Sequence, residues 1–101
     1  MSVRVLTHVV LMKFHDRADS EEAARLLTAL PAAIPHLRAL RVTLDTLGTP
    51  VSYDLCLVTE HDSESELIAY QQHPAHLELA GWLVPRLASR AVVDSVADSA
   101  P

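Results

Sequence analysis

The chain has 101 residues, of which 50% are apolar and only 4% aromatic, and its formal net charge is −5. This length predicts one domain with a modest core, which alanine, valine and leucine must fill. The acidic balance and the scattered arginines exclude a phosphate-binding surface for nucleic acid, and no apolar run reaches the roughly 20 residues of a membrane span.

The first predicted element is a strand over residues 3–14, which is rich in valine and free of glycine and proline. Its side chains are apolar on both alternating faces. One face carries Val9 and Leu11, and the other carries Val10 and Met12 together with His8. A strand that is apolar on both faces requires a covering layer on each of them.

An amphipathic helix is predicted next. Asp19 and Glu22 form an acidic version of the capping box at its start, and Pro31 and Pro35 end or kink it. Its apolar side repeats at helical spacing through Ala23, Leu26, Leu27 and Leu30.

Two strands are predicted after this helix, at residues 37–47 and 52–60, with a turn at Gly48-Thr49-Pro50 between them. A second helix then begins at Ser63, where Glu66 completes another capping box.

The pair His73-Pro74 breaks the second helix. The residue before a proline is pushed out of helical conformation, and proline suits the first position of a new helix. We therefore expect a third, short helix over residues 74–83 and a last strand over residues 90–96.

The element order βαββαβ predicts an α+β fold, a ferredoxin-like single antiparallel sheet with its helices on one face. We expect the domain to span residues 1–96, with residues 97–101 as a flexible tail. The apolar sheet face that lacks helices indicates an association surface. Two such sheets packed face to face in a two-fold homodimer would cover it.

Several local patterns occur in a characteristic order along the chain. They are His8-Val9-Val10-Leu11-Met12-Lys13-Phe14, Ile34-Pro35, Tyr53-Asp54-Leu55, Tyr70-Gln71-Gln72-His73-Pro74-Ala75-His76 and Val92-Val93-Asp94. Over residues 6–95 this set resembles the stress-responsive A/B-barrel (Dabb) family, whose members form dimeric α+β barrels. Two positions depart from the family pattern: His36 stands where glycine is usual, and Leu44-Asp45-Thr46 replaces a Gly-x-Asn turn.

The resemblance implies a site as well as a fold. A plant polyketide cyclase of the family closes a ring by intramolecular aldol condensation, and its catalytic histidine and tyrosine match His76 and Tyr70. A further pocket histidine matches His8, and another falls at Asp54. Other members have no clear reaction, so membership by itself does not imply catalysis.

The residues allow this chemistry without requiring it. In the first turn of a helix, His76 would lie at the positive end of the helix dipole, stay neutral near pH 7 and serve as a general base. Tyr70 could donate to a carbonyl that becomes an enolate. Plain packing roles remain open for both. His8 and Asp54 interrupt apolar strand faces on neighbouring strands, so we expect them to hydrogen-bond to each other or to His76, either to orient a ligand or to join two strands.

The other expectations concern the pocket wall and the remaining polar residues. His73 caps the third helix or packs at the barrel rim, and Cys56 is a small buried hydrophobe on the Asp54 face. Three histidines lie in polar turns and are expected to be solvated, namely His15, His36 and His61. The predicted substrate-binding wall comprises Val10, Met12, His73, Leu79 and Trp82.

The leading hypothesis is a cytoplasmic homodimer that binds a small apolar or aromatic ligand, without metal or cofactor. A single cysteine and an N-terminus unlike a signal peptide favour the cytoplasm. In the catalytic version it is a cyclase or lyase for a polyketide-like carbonyl substrate. The alternatives are a non-catalytic stress protein and a cofactorless monooxygenase.

Overall fold

A computed structural model describes residues 3–99, which form a four-stranded antiparallel sheet with helices on one face. The elements are β1 (Val3–Phe14), α1 (Asp19–Thr28), a 3-10 turn (Leu30–Ala32), β2 (Ala39–Leu44), β3 (Leu55–His61), α2 (Glu64–Gln72), α3 (Pro74–Leu83), a 3-10 turn (Val84–Arg86) and β4 (Leu87–Ser99). The strand order is β2-β3-β1-β4. This is the predicted ferredoxin-like fold, and the prediction is confirmed.

The break between α2 and α3 lies where the sequence predicts it. The hydroxyl of Ser63 accepts a hydrogen bond from the amide of Glu66 (3.2 Å), which caps α2. His73 is extended, and its Nδ1 accepts from the amide of Ala75 (3.1 Å), so His73 caps α3 as one of its two predicted roles. Pro74 is the first residue of α3, where its missing N–H costs nothing.

The start of α1 differs from the prediction. Asp19 is the first residue inside the helix and does not cap it, because Ala18 occupies the capping position without a side-chain hydrogen bond. Asp16 organises this turn instead, since its Oδ1 accepts from the amide of Ala18 (2.9 Å) and its carbonyl accepts from the amide of Asp19 (3.0 Å).

The bounds of three strands also differ from the prediction. β2 and β3 are shorter than residues 37–47 and 52–60, and β3 ends one residue later, at His61. β4 is longer than residues 90–96, because β1 already begins at Val3 and offers partners to residues 97–99. Those three residues were assigned to a tail and lie in a strand; residues 100–101 are outside the described part of the chain.

The helices cover one face of the sheet only. On β1, Val10, Met12 and Phe14 are buried beneath them, while Val9 and Leu11 on the opposite face are partly exposed. Val93 of β4, which pairs with Val9, is 64% exposed. This face is the uncovered apolar surface that the alternation of β1 predicts, and we call it the outer face. Cys56 lies on it as the partner of Leu11.

None of the helices in the described part of the chain is long and apolar enough to cross a membrane.

Candidate functional site

A cavity of about 190 Å³ lies between the helix-covered face of the sheet and the pair of helices α2 and α3. Six of the side chains predicted for the site line it: His8, Val10, Met12, Tyr70, His76 and Leu79. The rest of its wall is formed by Leu27, Leu57, Gln71, Ala80, Leu83, Val84, Arg90, Val92 and Asp94. The cavity is thus an apolar pocket with a few polar groups, the usual character of a small-molecule site.

Tyr70 is held in the last turn of α2 with only 1% of its surface exposed. Its ring packs between those of His61 (centroids 5.2 Å apart) and His76 (4.8 Å, edge to face). Its buried hydroxyl has no hydrogen-bond partner among the described residues. Burial raises the pKa of Tyr70 to about 12, so the phenol remains a protonated donor at neutral pH.

His76 lies in the first turn of α3, as predicted from the position of Pro74. Its Nδ1 is buried and also lacks a partner within the described chain. Burial lowers the pKa of His76, as do the charges of His8 and Arg90, while the backbone of Gln71 acts in the opposite direction. His76 is therefore a neutral imidazole at pH 7 with a nitrogen available to a ligand.

His8 is paired with Asp94, and the predicted contact between His8 and Asp54 is wrong. The two residues lie opposite each other on β1 and β4, with 2.5 Å between His8 Nδ1 and Asp94 Oδ1. The carboxylate accepts, so Nδ1 of His8 donates and Nε2 is left available. The sequence reasoning did not include Asp94 in the site. The sequence did show Asp94 as a charged residue in a valine-rich strand. Only the register of β1 and β4 shows that it lies opposite His8.

Asp54 lies beside Phe14, at the other end of β1 from His8. Phe14 is six residues from His8 along the strand, which corresponds to about 20 Å. Asp54 is 4% exposed and does not line the cavity. Its Oδ2 accepts from the amide of Phe14 (2.8 Å) and its Oδ1 from Nη1 of Arg17 (3.2 Å), beside the bulge between Lys13 and Phe14. Asp54 therefore joins two strands and a turn, which is the structural alternative for this residue.

His73 and Trp82 do not line the cavity, contrary to the prediction. His73 is occupied by the cap of α3. Trp82 stacks with Arg86, whose guanidinium carbon lies 4.3 Å from the ring centroid. Both side chains belong to the frame around the site.

His61 was predicted to be solvated and is wholly buried behind Tyr70, because it is the last residue of β3 and pairs with the inward-facing Leu6. Its Nδ1 donates to the carbonyl of His36 (2.9 Å), and its Nε2 accepts from the hydroxyl of Thr59 (2.8 Å). Burial lowers the pKa of His61. The neutral ring is thus fixed and supports Tyr70.

Arg90 is the second residue that the sequence reasoning missed. It pairs with Met12 across β1 and β4, so it shares the helix-covered face and lines the cavity. The sequence could have indicated Arg90, because it begins the last predicted strand and alternation puts it on the same face as Asp94. No group of three histidine, cysteine, aspartate or glutamate side chains that could hold a metal ion occurs in residues 3–99.

The profile of the Stress responsive A/B Barrel Domain (Dabb) matches residues 6–97. No curated protein matches the sequence. A dimeric ferredoxin-like protein of unknown function from Thermobifida fusca is 30% identical, with a TM-score of 0.82 over 94% of this chain and 92% of that one.

Two further structures extend the comparison. A dimeric protein of unknown function and ferredoxin-like fold from Bacteroides fragilis is 27% identical, with a TM-score of 0.78 over 90% of this chain and 94% of that one. Hydroxynitrile lyase from Passiflora edulis is 15% identical, with a TM-score of 0.78 over 92% and 93%. At that identity the lyase shows a common fold and nothing more.

Proposed function

The chain belongs to the stress responsive A/B barrel (Dabb) family, and from this premise we propose that it is a homodimeric, cofactor-independent acid–base catalyst of the cyclase or lyase type. It removes a proton beside the carbonyl group of a small molecule held in the cavity between the sheet and α2 and α3.

One observation carries the proposal: two buried polar atoms at the cavity have no partner among the described residues, the hydroxyl of Tyr70 and Nδ1 of His76. An unpaired buried polar group costs about 1–3 kcal/mol of stability. Buried polar groups are normally satisfied, and those that are not require an explanation. The rings of Tyr70 and His76 lie 4.8 Å apart, so a ligand that binds both groups is the simplest explanation.

The two groups suit opposite halves of one proton transfer. His76, neutral at pH 7, takes the proton from the carbon next to the carbonyl, and the electron pair of the broken C–H bond forms the enolate. The charge that develops on the enolate oxygen accepts a hydrogen bond from the hydroxyl of Tyr70. The imidazolium of His76 then returns a proton to the product.

His8 supplies a second polar contact for the substrate. Asp94 holds Nδ1 of His8 as a donor, which leaves Nε2 to face a polar group of the ligand. Asp94 thereby takes the orienting role that the sequence hypothesis gave to Asp54. The His8–Asp94 pair is suited to place a hydroxyl or a second carbonyl of the substrate next to His76.

The volume of the cavity restricts the substrate to a short molecule. The cavity measures about 190 Å³. Ligand pockets for drug-sized molecules are larger, about 300–1,000 Å³. A short ketone therefore fits the cavity better than an extended polyketide chain does.

The homodimer rests on the outer face and on two relatives. The proteins from Thermobifida fusca and Bacteroides fragilis are both described as dimeric. Val9, Leu11 and Val93 of this chain form an apolar surface that its own helices do not cover. A second copy packed on that surface, sheet against sheet, removes it from water.

Proton abstraction is tested by hydrogen–deuterium exchange of two short ketones in D₂O, followed by proton NMR. The ketones are 2-pentanone and 4-oxopentanoate. We expect the wild-type protein to accelerate exchange beside the carbonyl and His76→Ala to lose about 10²–10⁴-fold of that rate. His15→Ala is the matched control, because His15 is exposed and lies outside the cavity.

Two results would overturn the proposal. If wild-type protein exchanges neither ketone faster than buffer, the non-catalytic alternative is favoured. If His76→Ala exchanges as fast as wild type while the dimer is intact, His76 is not the base.

A further inference from the structure

We infer that the carbonyl substrate of this cavity is an anion, a short keto acid whose carboxylate binds Arg90 at one end of the pocket. This inference rests on the proposed function and adds to it the class of substrate.

The two strands that form the floor of the cavity separate a cationic end from an acid–base end. Arg90 pairs with Met12, and Asp94 pairs with His8. The two members on each strand are four positions apart, which is about 13 Å at the rise of a strand. Arg90 and His8 thus line the same cavity from opposite ends of its floor.

Two charged side chains face the cavity, and only one of them has a partner within the described chain. The carboxylate of Asp94 is bound to His8. Burial lowers the pKa of His76 and raises that of Tyr70, so both are neutral at pH 7. Within residues 3–99, Arg90 makes no ion pair or side-chain hydrogen bond. Its positive charge is therefore available to a ligand, although the whole chain carries a net charge of −5.

The chemistry of the guanidinium selects a carboxylate. Arginine presents parallel N–H groups that match the two oxygens of a carboxylate, and such bidentate pairs are stronger than neutral hydrogen bonds. The side chain of Arg90 is exposed, so it enters the pocket without the cost of desolvating a fully buried charge. A cavity of about 190 Å³ suits a short chain that carries one carboxylate and one carbonyl.

The test compares a keto acid with its neutral ester on the same protein. The probes are 4-oxopentanoate and methyl 4-oxopentanoate, and kcat and KM for exchange beside the carbonyl are measured by proton NMR in D₂O. The ratio of kcat/KM between the two probes cancels any effect that Arg90 has on His76, because both probes meet the same base.

We expect wild-type protein to favour the acid by about tenfold or more, mostly through KM, since a charge-assisted hydrogen bond is roughly twice as strong as a neutral one. Arg90→Gln should abolish that preference, and Arg90→Lys should keep part of it. Arg25→Gln is the matched control, because it removes an equal charge from the exposed face of α1, where Arg25 pairs with Glu22.

The outcomes separate this inference from the proposed function. Equal kcat/KM for acid and ester in wild type, or a preference that survives Arg90→Gln, overturns the inference while proton abstraction stands. Exchange of neither probe overturns both.

Discussion

Replacing Tyr70 by phenylalanine separates the stability of the fold from its chemistry. The substitution removes the hydroxyl and keeps the ring between His61 and His76. Because the buried hydroxyl has no partner in the described chain, its removal relieves a cost of about 1–3 kcal/mol. We expect the free energy of unfolding to rise by about 1 kcal/mol, which raises Tm by roughly 4–8 °C in a domain of this size.

Alkaline pH provides a second measure of the same group. The pKa of Tyr70 is about 12 in the folded protein and about 10 in the unfolded chain. Because the pKa is raised, the unfolded chain ionises before the folded protein does, so the free energy of unfolding is unaffected by this group below pH 10 and falls as the pH rises from 10 to 12. A difference of two pKa units corresponds to about 2–3 kcal/mol, which wild type should lose and Tyr70→Phe should not.

The activity should change in the opposite direction. If the hydroxyl of Tyr70 stabilises the enolate, Tyr70→Phe loses about 10²–10³-fold in kcat for ketone exchange. Tyr53→Phe is the matched control, because Tyr53 is the other tyrosine and does not line the cavity.

Denaturant titrations at one fixed protein concentration give the free energies, since the unfolding of a dimer depends on concentration. A Tyr70→Phe protein that is less stable than wild type would mean that the hydroxyl has a partner within the fold. Retained exchange activity would refute the donor role.

Two further substitutions test the outer face and the misassigned aspartate. Val93→Glu places a charge on the outer face and should dissociate the dimer in sedimentation experiments. Leu77→Glu, on the exposed side of α3, is the control and should leave the dimer intact. If both variants remain dimeric, the sheet-to-sheet interface is contradicted. Asp54→Ala should lower the free energy of unfolding by about 1–3 kcal/mol, because it leaves the buried amide of Phe14 without its acceptor and removes one of the contacts of Arg17, which keeps Asp45. Its ketone exchange at temperatures below unfolding should equal that of wild type, and a loss of exchange there would return Asp54 to the site.

The elements that the sequence predicted best depend on local rules. The bounds of β1 were predicted to the residue, because its twelve residues are mostly apolar on both faces and include no glycine or proline. The junction of α2 and α3 follows from the chemistry of proline at residue 74 and from the cap of Ser63. The errors at the ends of β2, β3 and β4 have a common cause, since a strand extends only as far as its neighbour offers hydrogen-bond partners.

The partner of His8 illustrates what local rules leave undetermined. Alternation places His8 on the helix-covered face of β1, and the fold places β3 and β4 beside it. The choice between Asp54 and Asp94 depends on the register, because each residue of slippage changes which side chain lies opposite. In the structure Thr59 of β3 and Asp94 of β4 lie opposite His8. The sequence pattern thus predicted a carboxylate partner for His8 and named the wrong one, Asp54 in place of Asp94.

The same distinction explains why the cavity itself was predicted in part. Tyr70, His76 and Leu79 belong to the consecutive helices α2 and α3, so a motif of local residues brings them to the same cavity as His8. Arg90 joins them only because β4 runs antiparallel to β1 with Met12 as its partner. The acid–base groups are therefore encoded within short segments, whereas the charge that would choose the substrate depends on the pairing of the first and last strands. Under the proposed function, substitutions in β4 change the specificity of this chain while α2 and α3 keep Tyr70 and His76 in place.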